Sequence, residues 1–445
     1  MVSVSGIRGI FGVDLNPENL AQYAAAFGTW AKGGKIVIGR DSRVTGELCE
    51  RVVVSALQSV GCDVVKLGVV PTPTVAMGVL RHKASGGIIL SASHNPAEWN
   101  ALKLLNGKSE FLDAEQGAEV MSIAAKREIA YQDYRHLGEV TRDDQILDYH
   151  IGKILALPYI DVQTIKKHNF TVAIDAVNGA GSETVPYLLR SLGVSNVICM
   201  NCTPNGLFPH NPEPIPEHLT DICDKVKETK ADLGVVVDPD VDRLALVMNN
   251  GELLGEEYTL ALATQFMMEN EPGPCATNLS SSNVTQDIAK SFGQTCYQAA
   301  VGEINVVKEM QKRNAVIGGE GNGGVINPDL HYGRDALVGI AMTLQYLAEK
   351  DIDLVSFRKS LPDYRIVKMK KPLEGLDPDA VLEALKLRYQ DKNPITIDGL
   401  KLFFDEGWVH IRKSNTEPIV RIYAEAKDPN KAVELANRVM DEIGG

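Results

Sequence analysis

Long hydrophobic runs are missing from this 445-residue chain. No stretch approaches the roughly 18 apolar residues that cross a bilayer. The opening MVSVSGIRGIFG has neither the charged lead nor the apolar segment of a secretory signal, so the cytoplasm is the expected location. Positive charge is also short: 45 Lys and Arg face 58 Asp and Glu, a net charge of −13. A field of that sign repels phosphate backbones, which argues against a general nucleic-acid or anionic-membrane binder. Any phosphate chemistry must then take place in a locally basic cleft. Cysteine is scarce and odd in number, seven in all, which excludes a disulfide framework. The close pair Cys199 and Cys202 has no second pair to complete a zinc site, so the thiols are read as reduced and structural.

What remains, 44% hydrophobic and 23% charged residues, is the composition of a globular protein. At about 100–200 residues per domain, the length implies about three or four domains. Three stretches repeat one layout of buried strand, polar or Gly-rich loop and amphipathic helix: KIVIGRDSRVTGELCERVVVSALQSVG from Lys35, TVAIDAVNGAGSETVPYLLRSLG from Thr171 and PCATNLSSSNVTQDIAKSFG from Pro274. This is the βα unit of a parallel sheet, each copy closed by a glycine after the helix. The tail departs from the layout, with a helix from Asp377 to about Tyr389, strands around GLKLFFDEGWVHIR and IVRIYAEA, and a closing helix from Asn430. The expected fold is three related α/β domains with mixed or parallel sheets, spanning 1–149, 150–251 and 252–362, plus a smaller C-terminal α+β domain over 363–445, around a central cleft.

Four stretches carry candidate chemistry. SASHNP, residues 91–96, follows the buried run GGIIL and sets the Ser93 hydroxyl at the end of a rigid strand. A serine is a poor nucleophile unassisted; Lys103 could fold back on it as proton acceptor, and His94 is either a base or a turn and phosphate hydrogen-bonding residue. LGVVVDPDVDRLALV spaces Asp238, Asp240 and Asp242 by two, aiming three carboxylates at one side as a hard divalent cation requires. A calcium loop of the EF-hand type would need Gly and Glu where Arg243 and Asn249 stand, so Mg²⁺ fits better, with Arg243 placed to hold a phosphate beside it. GGEGNGG, residues 318–324, contains a dinucleotide-like glycine pattern, but VINPD follows where a helix should open. A loop turning Glu320 and Asn322 toward sugar hydroxyls suits it better, a plain tight turn being the alternative. RKSNTEPIVR combines Arg412, Lys413 and Arg421 with Ser414, Asn415 and Thr416, the makings of a phosphate nest.

With these four motifs in this order, the chain resembles the α-D-phosphohexomutase superfamily over its whole length, the archaeal-type phosphoglucosamine mutase branch most of all. The resemblance implies a phosphoserine at Ser93 and Mg²⁺ held by Asp238, Asp240, Asp242 and the Ser93 phosphate. It implies proton transfer and phosphate contact at Arg8 and Lys103, with His94 in support, and hexose 1,6-bisphosphate as intermediate and activator. The expected partner is a small phosphosugar, bound by a monomer or homodimer. The segment AVGEINV, with Glu303, resembles the V-G-acid pattern of phosphoglucosamine mutases, and a carboxylate suits an ammonium at C2. Glucosamine phosphate is therefore the leading substrate, with glucose and mannose phosphates the alternative. One departure stands out: the family's sugar loop often ends in a histidine, and here Gly324 takes that place, leaving His331 as the expected replacement. A Mg²⁺-dependent phosphatase using Asp238 leaves Ser93 and the tail loop unexplained. A binding protein that has lost catalysis does not account for Ser93, Lys103 and the three aspartates.

Overall fold

The computed structural model describes residues 2–3, 6–373, 375, 377–413 and 419–443. Four sheets follow one another along the chain. At the centre of the first lie the parallel strands Ile36–Arg40, Val64–Val69 and Gly86–Leu90. Gly86–Leu90 and most of Ile36–Arg40 read as apolar runs because both faces are covered, while Val64–Val69, nearer the sheet edge, admits Lys66. Ile36, Ile38, Ile88 and Leu90 pack under the helices Pro17–Trp30 and Gly46–Ser59, while Val37 and Ile89 face the helix Thr72–His82. The second sheet sets Leu233–Val237 and Asn196–Met200 parallel to Thr171–Asp175, and the third sets Cys296–Ala299 and Ile317–Glu320 parallel to Cys275–Asn278. The three βα units expected from the sequence are present, and Gly61, Gly193 and Gly293 follow their helices at φ +81°, +88° and +71°. Only glycine adopts that backbone without cost.

A second regularity joins the three sheets. In each, a buried parallel strand turns directly into an antiparallel neighbour: Gly86–Leu90 into Trp99–Asn106, Leu233–Val237 into Leu244–Met248, and Ile317–Glu320 into Gly324–Ile326. The loops between them, 91–98, 238–243 and 321–323, carry SASHNP, DPDVDR and the centre of GGEGNGG. All three sit at the carboxyl end of a parallel strand, where open α/β sheets bind ligands. One hydrophobic core runs through the second and third sheets by way of the helices Glu256–Asn270 and Ala336–Lys350, so their two loops are fixed relative to one another. Of the segments expected to join domains, Tyr149 lies inside the helix Ile146–Leu155, which packs against both Thr72–His82 and Gly181–Ser191. Gly251 lies in a turn and Pro362 in an irregular segment.

The tail forms an antiparallel sheet of four strands, ordered Arg365–Pro372, Ile419–Ala426, Gly407–Lys413, Leu400–Phe403, backed by the helices Pro378–Arg388 and Pro429–Asp441. The strand Arg365–Pro372 was not expected, because its lysines and terminal proline disguise the alternation in RIVKMKKP. One face of this sheet is apolar; the other presents Lys401, Trp408, His410 and Glu425 to the loop 278–283 of the third domain. Lys401 Nζ donates to the Leu279 carbonyl at 2.7 Å and lies 4.0 Å from the Trp408 ring centre. Glu425 Oε1 accepts from Asn283 N at 3.0 Å and Trp408 Nε1 at 2.8 Å, and His410 Nδ1 meets Ser280 Oγ at 2.9 Å.

Burial pushes the Lys401 ammonium down to about 7, against the opposing pull of Glu425 and Glu257. Between there and its ordinary value of 10.5 the folded protein binds fewer protons at this site than the unfolded chain. Stability contributed by this group therefore rises with pH across the window and is lost as pH falls through the folded value, with a slope of at most about 1.4 kcal/mol per pH unit. Lys401→Met should flatten that rise. Thermal melts at several pH values from 7 to 9 read it directly, and equal slopes in the two proteins would refute the assignment.

Candidate active site

Ser93 sits in a sharp turn with φ +50°, a conformation that costs a non-glycine residue free energy and needs surrounding structure to hold it. Arg43 supplies that hold. Buried beneath the loop, it donates through NH2 to the carbonyls of Ser93 at 2.6 Å and Asn95 at 2.7 Å, and through NH1 to those of Pro96 at 2.5 Å and Trp99 at 3.0 Å. Its Nε meets Asp41 Oδ2 at 3.0 Å, and the same oxygen accepts from Ser91 Oγ at 2.6 Å. The pairing of Arg43 with Asp41 thus has a purpose that GRDSR alone does not reveal. Arg8, on the strand Gly6–Ile10, donates through NH1 to Asn95 Oδ1 at 2.9 Å at the rim of this loop.

The hydroxyl that the turn presents donates to Asp238 Oδ2 at 2.8 Å. Asp238, Asp240 and Asp242 are fully buried, and one carboxylate oxygen of each lies within 4.8 Å of the others. Burial, then Asp242 and Asp240, push the Asp238 carboxyl well above the usual range. Burial would raise Asp240 too, but Lys103 Nζ, donating at 2.6 Å, and Thr72 Oγ1, donating at 2.5 Å, hold it below. Val241, between the carboxylates, has φ +62°, an outlier for a β-branched residue. The loop is gripped from three domains: Thr72 N donates to the Asp240 carbonyl at 2.8 Å, Ala180 N to Pro239 at 2.8 Å and Ala336 N to Val241 at 3.2 Å. Asp240 Oδ1 and Asp242 Oδ1 are buried with no hydrogen-bond partner among the described residues. An all-oxygen donor set with two orphaned carboxylate oxygens fits a hard divalent cation.

Lys103 was expected to return to Ser93. On the strand Trp99–Asn106 it donates to Asp240 Oδ2 at 2.6 Å and lies 3.9 Å from Asp242, in the same carboxylate cradle whose Asp238 accepts from Ser93. His94 Nδ1 stands 3.3 Å from Ser93 Oγ. Burial, then the charges of Arg243, Arg8 and Lys103, push this imidazole down to about 3, which makes it a weak base at neutral pH. Arg243 lies 3.9 Å from Asp242 and 4.0 Å from Glu213.

The third loop is tighter than its composition implies. Glu320 is 5% exposed: its Oε1 accepts from Asn278 Nδ2 at 2.8 Å and Gly302 N at 3.2 Å, and its Oε2 from Arg334 NH1 at 3.0 Å. Asn322 Oδ1 accepts from Gly324 N at 3.2 Å across the turn. His331 is not beside Gly324. It is buried within the wall, with Nε2 3.3 Å from Asp335 Oδ2, an oxygen shared with His150 Nε2 at 2.9 Å. The space over Gly324 belongs to Arg334: a Cβ on that glycine would lie 2.3 Å from Arg334 Cδ. Arg334, rather than His331, is thus the side chain that lies over Gly324. No local signal marks this arginine, since only the hairpin brings residues 324 and 334 together.

Comparison with known proteins fits the arrangement. Residues 2–130, 148–251 and 255–364 match the phosphoglucomutase/phosphomannomutase α/β/α domains I, II and III, and residues 367–442 match the C-terminal domain of the same family. A phosphoglucomutase/phosphomannomutase from Thermococcus kodakarensis is 38% identical over 98% of this chain and 97% of its own length. The chain belongs to the α-D-phosphohexomutase superfamily. A phosphoglucosamine/phosphogalactosamine mutase from Sulfurisphaera tokodaii is 31% identical over 100% of the chain and 99% of its own. A phosphoglucomutase/phosphomannomutase family protein from Burkholderia thailandensis superposes with a TM-score of 0.86 at 24% identity, over 99% of this chain and 96% of that one, which bears on the fold. The chain is thus an enzyme of the isomerase class, an intramolecular phosphotransferase.

In this phosphohexomutase the tail sheet, packed against the third domain, carries the remaining residues expected from the sequence. Ser414, Asn415 and Thr416 lie outside the described residues. Arg412 and Arg421 are direct cross-strand partners, and Lys370 is the next partner along, so three cations share one row. Like charges placed directly opposite are destabilising. Asp398 answers only in part, its Oδ2 lying 3.2 Å from Arg412 NH2, and Arg412 Nε is buried without a hydrogen-bond partner among the described residues. Such a row suits an anion.

Arg43 gives this site a direct test. Arg43→Met leaves Asp41 buried without its counterion and the Ser93 loop carbonyls without donors, a loss of about 3–5 kcal/mol by the precedent of broken buried ion pairs. Urea unfolding measures it; a loss under about 1 kcal/mol would show that the loop is held by other contacts.

Proposed function

We propose that the enzyme interconverts hexose 1-phosphate and hexose 6-phosphate through a phosphoserine at Ser93, with glucosamine phosphate the preferred substrate. The observation that carries this reading is the Ser93 hydroxyl seated 2.8 Å from Asp238 at the edge of a cradle of three buried carboxylates. A serine with no neighbouring effective base is a poor acyl-transfer nucleophile but a suitable carrier of a phosphoryl group next to a cation site. In the proposed cycle the bond from phosphorus to Ser93 Oγ breaks as one forms to a sugar hydroxyl, and the hydroxyl's proton ends on Ser93 Oγ, which then donates to Asp238. Mg²⁺ held by Asp238, Asp240, Asp242 and the Ser93 phosphate would draw charge from the phosphoryl oxygens in transit. Lys103 and Arg8 add positive charge on the same side, and Lys103 is the residue proposed to exchange a proton with the reacting hydroxyl.

The resulting 1,6-bisphosphate must reverse before returning its other phosphate to Ser93. Both orientations need the same grip on the distal phosphate, the task assigned to Arg412, Arg421 and the neighbouring 414–416 segment. Glu320 and Asn322 would border the ring hydroxyls, with Arg243 on the phosphate near the aspartates. Glu303 places a carboxylate on the sugar wall, which supports an amino sugar; relatives named for glucose, mannose, glucosamine and galactosamine phosphates leave the wider set as the second reading. Free bisphosphate would act as activator by rephosphorylating Ser93.

Two measurements test this. Primed with hexose 1,6-bisphosphate, glucosamine 1-phosphate should be turned over faster than glucose or mannose 1-phosphate; the reverse order would remove the substrate assignment. Intact mass should give a phosphate adduct that vanishes in Ser93→Ala together with at least about 10³-fold of kcat, and full activity in that variant would sink the mechanism. Asp240→Asn, which disturbs both the cradle and the Lys103 pair, should lose about 10²-fold or more at saturating Mg²⁺.

A further inference from the structure

Arg334 precedes the helix Ala336–Lys350 and spends each guanidinium nitrogen on a different carboxylate: Nε on Glu303 Oε2 at 2.9 Å, NH1 on Glu320 Oε2 at 3.0 Å and NH2 on Asp242 Oδ2 at 2.7 Å. Its backbone N donates to Glu303 Oε1 at 3.2 Å, so both oxygens of Glu303 face this one residue. The three acids come from three separate elements: Asp242 from the aspartate loop, Glu303 from the start of the helix Glu303–Arg313 and Glu320 from the end of the strand Ile317–Glu320. Burial would lower the guanidinium, but Asp242, Glu303 and Glu320 hold it well above its ordinary value, so the charge is permanent. Its side chain is 11% exposed, as is that of Glu303. Gly324 is what admits it, since any side chain there would occupy the position of Arg334 Cδ.

We infer that Arg334 is a positioning and specificity residue, which restrains the preference of the sugar wall for an ammonium over a hydroxyl and so sets how many sugars the enzyme accepts. The inference rests on the functional reading above, in which Glu303 faces the sugar. A bare Glu303 beside Glu320 would attract the ammonium of an amino sugar strongly and give a neutral sugar nothing comparable. With a fixed cation between them, the pair presents a net charge of one rather than two, and the guanidinium repels the incoming ammonium. The same contacts tie the sugar wall to the aspartate loop, so the geometry of both depends on one side chain.

The test is the ratio of kcat/KM for glucosamine 1-phosphate to that for glucose 1-phosphate at pH 7, measured with bisphosphate priming. Arg334→Gln should lower both values yet raise the ratio about tenfold, the change lying in KM, whereas Arg334→Lys should keep the ratio within about twofold. Glu303→Gln should move the ratio the other way by about tenfold and serves as the decisive variant if Arg334→Gln does not fold. A ratio unmoved in Glu303→Gln, or equal losses on both sugars in Arg334→Gln, overturns the inference while leaving the mutase reading intact. A wild-type protein inactive on every hexose phosphate overturns both.

Discussion

Three carboxylates buried side by side in residues 238–242 are the constraint around which the molecule is arranged. Unanswered, they would repel one another and resist burial. The answers come from every direction: Ser93, Lys103 and Thr72 from the first domain, and Arg334 from the third. The site is therefore a consequence of domain packing as much as of any local motif. In a protein of net charge −13, Lys103 and Arg334 bring positive charge directly onto these buried anions.

The repeated strand, loop and antiparallel return gives each of the three α/β domains one loop at the same topological position. What differs is the residue type placed there. The first domain presents a hydroxyl, the second a cluster of acids, the third a glycine turn flanked by Glu320. The tail sheet has another architecture and another task, offering a row of cations from adjacent strands rather than a loop at a strand end.

The βα repeats were legible because buried parallel strands and amphipathic helices leave strong periodic signals, and Ser93 and the aspartates because they directly follow such strands. The strand Arg365–Pro372 was not, since its alternation is filled with lysines. The contact of Lys103 with Asp240 was not legible, because spacing along the chain says where a hairpin returns and not which side chain from another domain it meets. His331 was chosen by nearness to Gly324 in sequence, and Arg334 was missed. Distances between two side chains brought together by a bridge such as Ile326 to Arg334 have no counterpart in composition or spacing. Arg43 pairs with Asp41 two residues away, but its four carbonyl contacts depend on a loop fifty residues downstream, which local sequence does not reveal.

The backbone donors of the aspartate loop bear on what completes it. Pro239, Asp240 and Val241 each give a carbonyl to a different domain, through Ala180, Thr72 and Ala336. These contacts surround Val241, whose backbone is in a conformation disfavoured for a β-branched residue. Because Ala336 belongs to the third domain and Thr72 to the first, the loop's full set of donors exists only where the three domains meet.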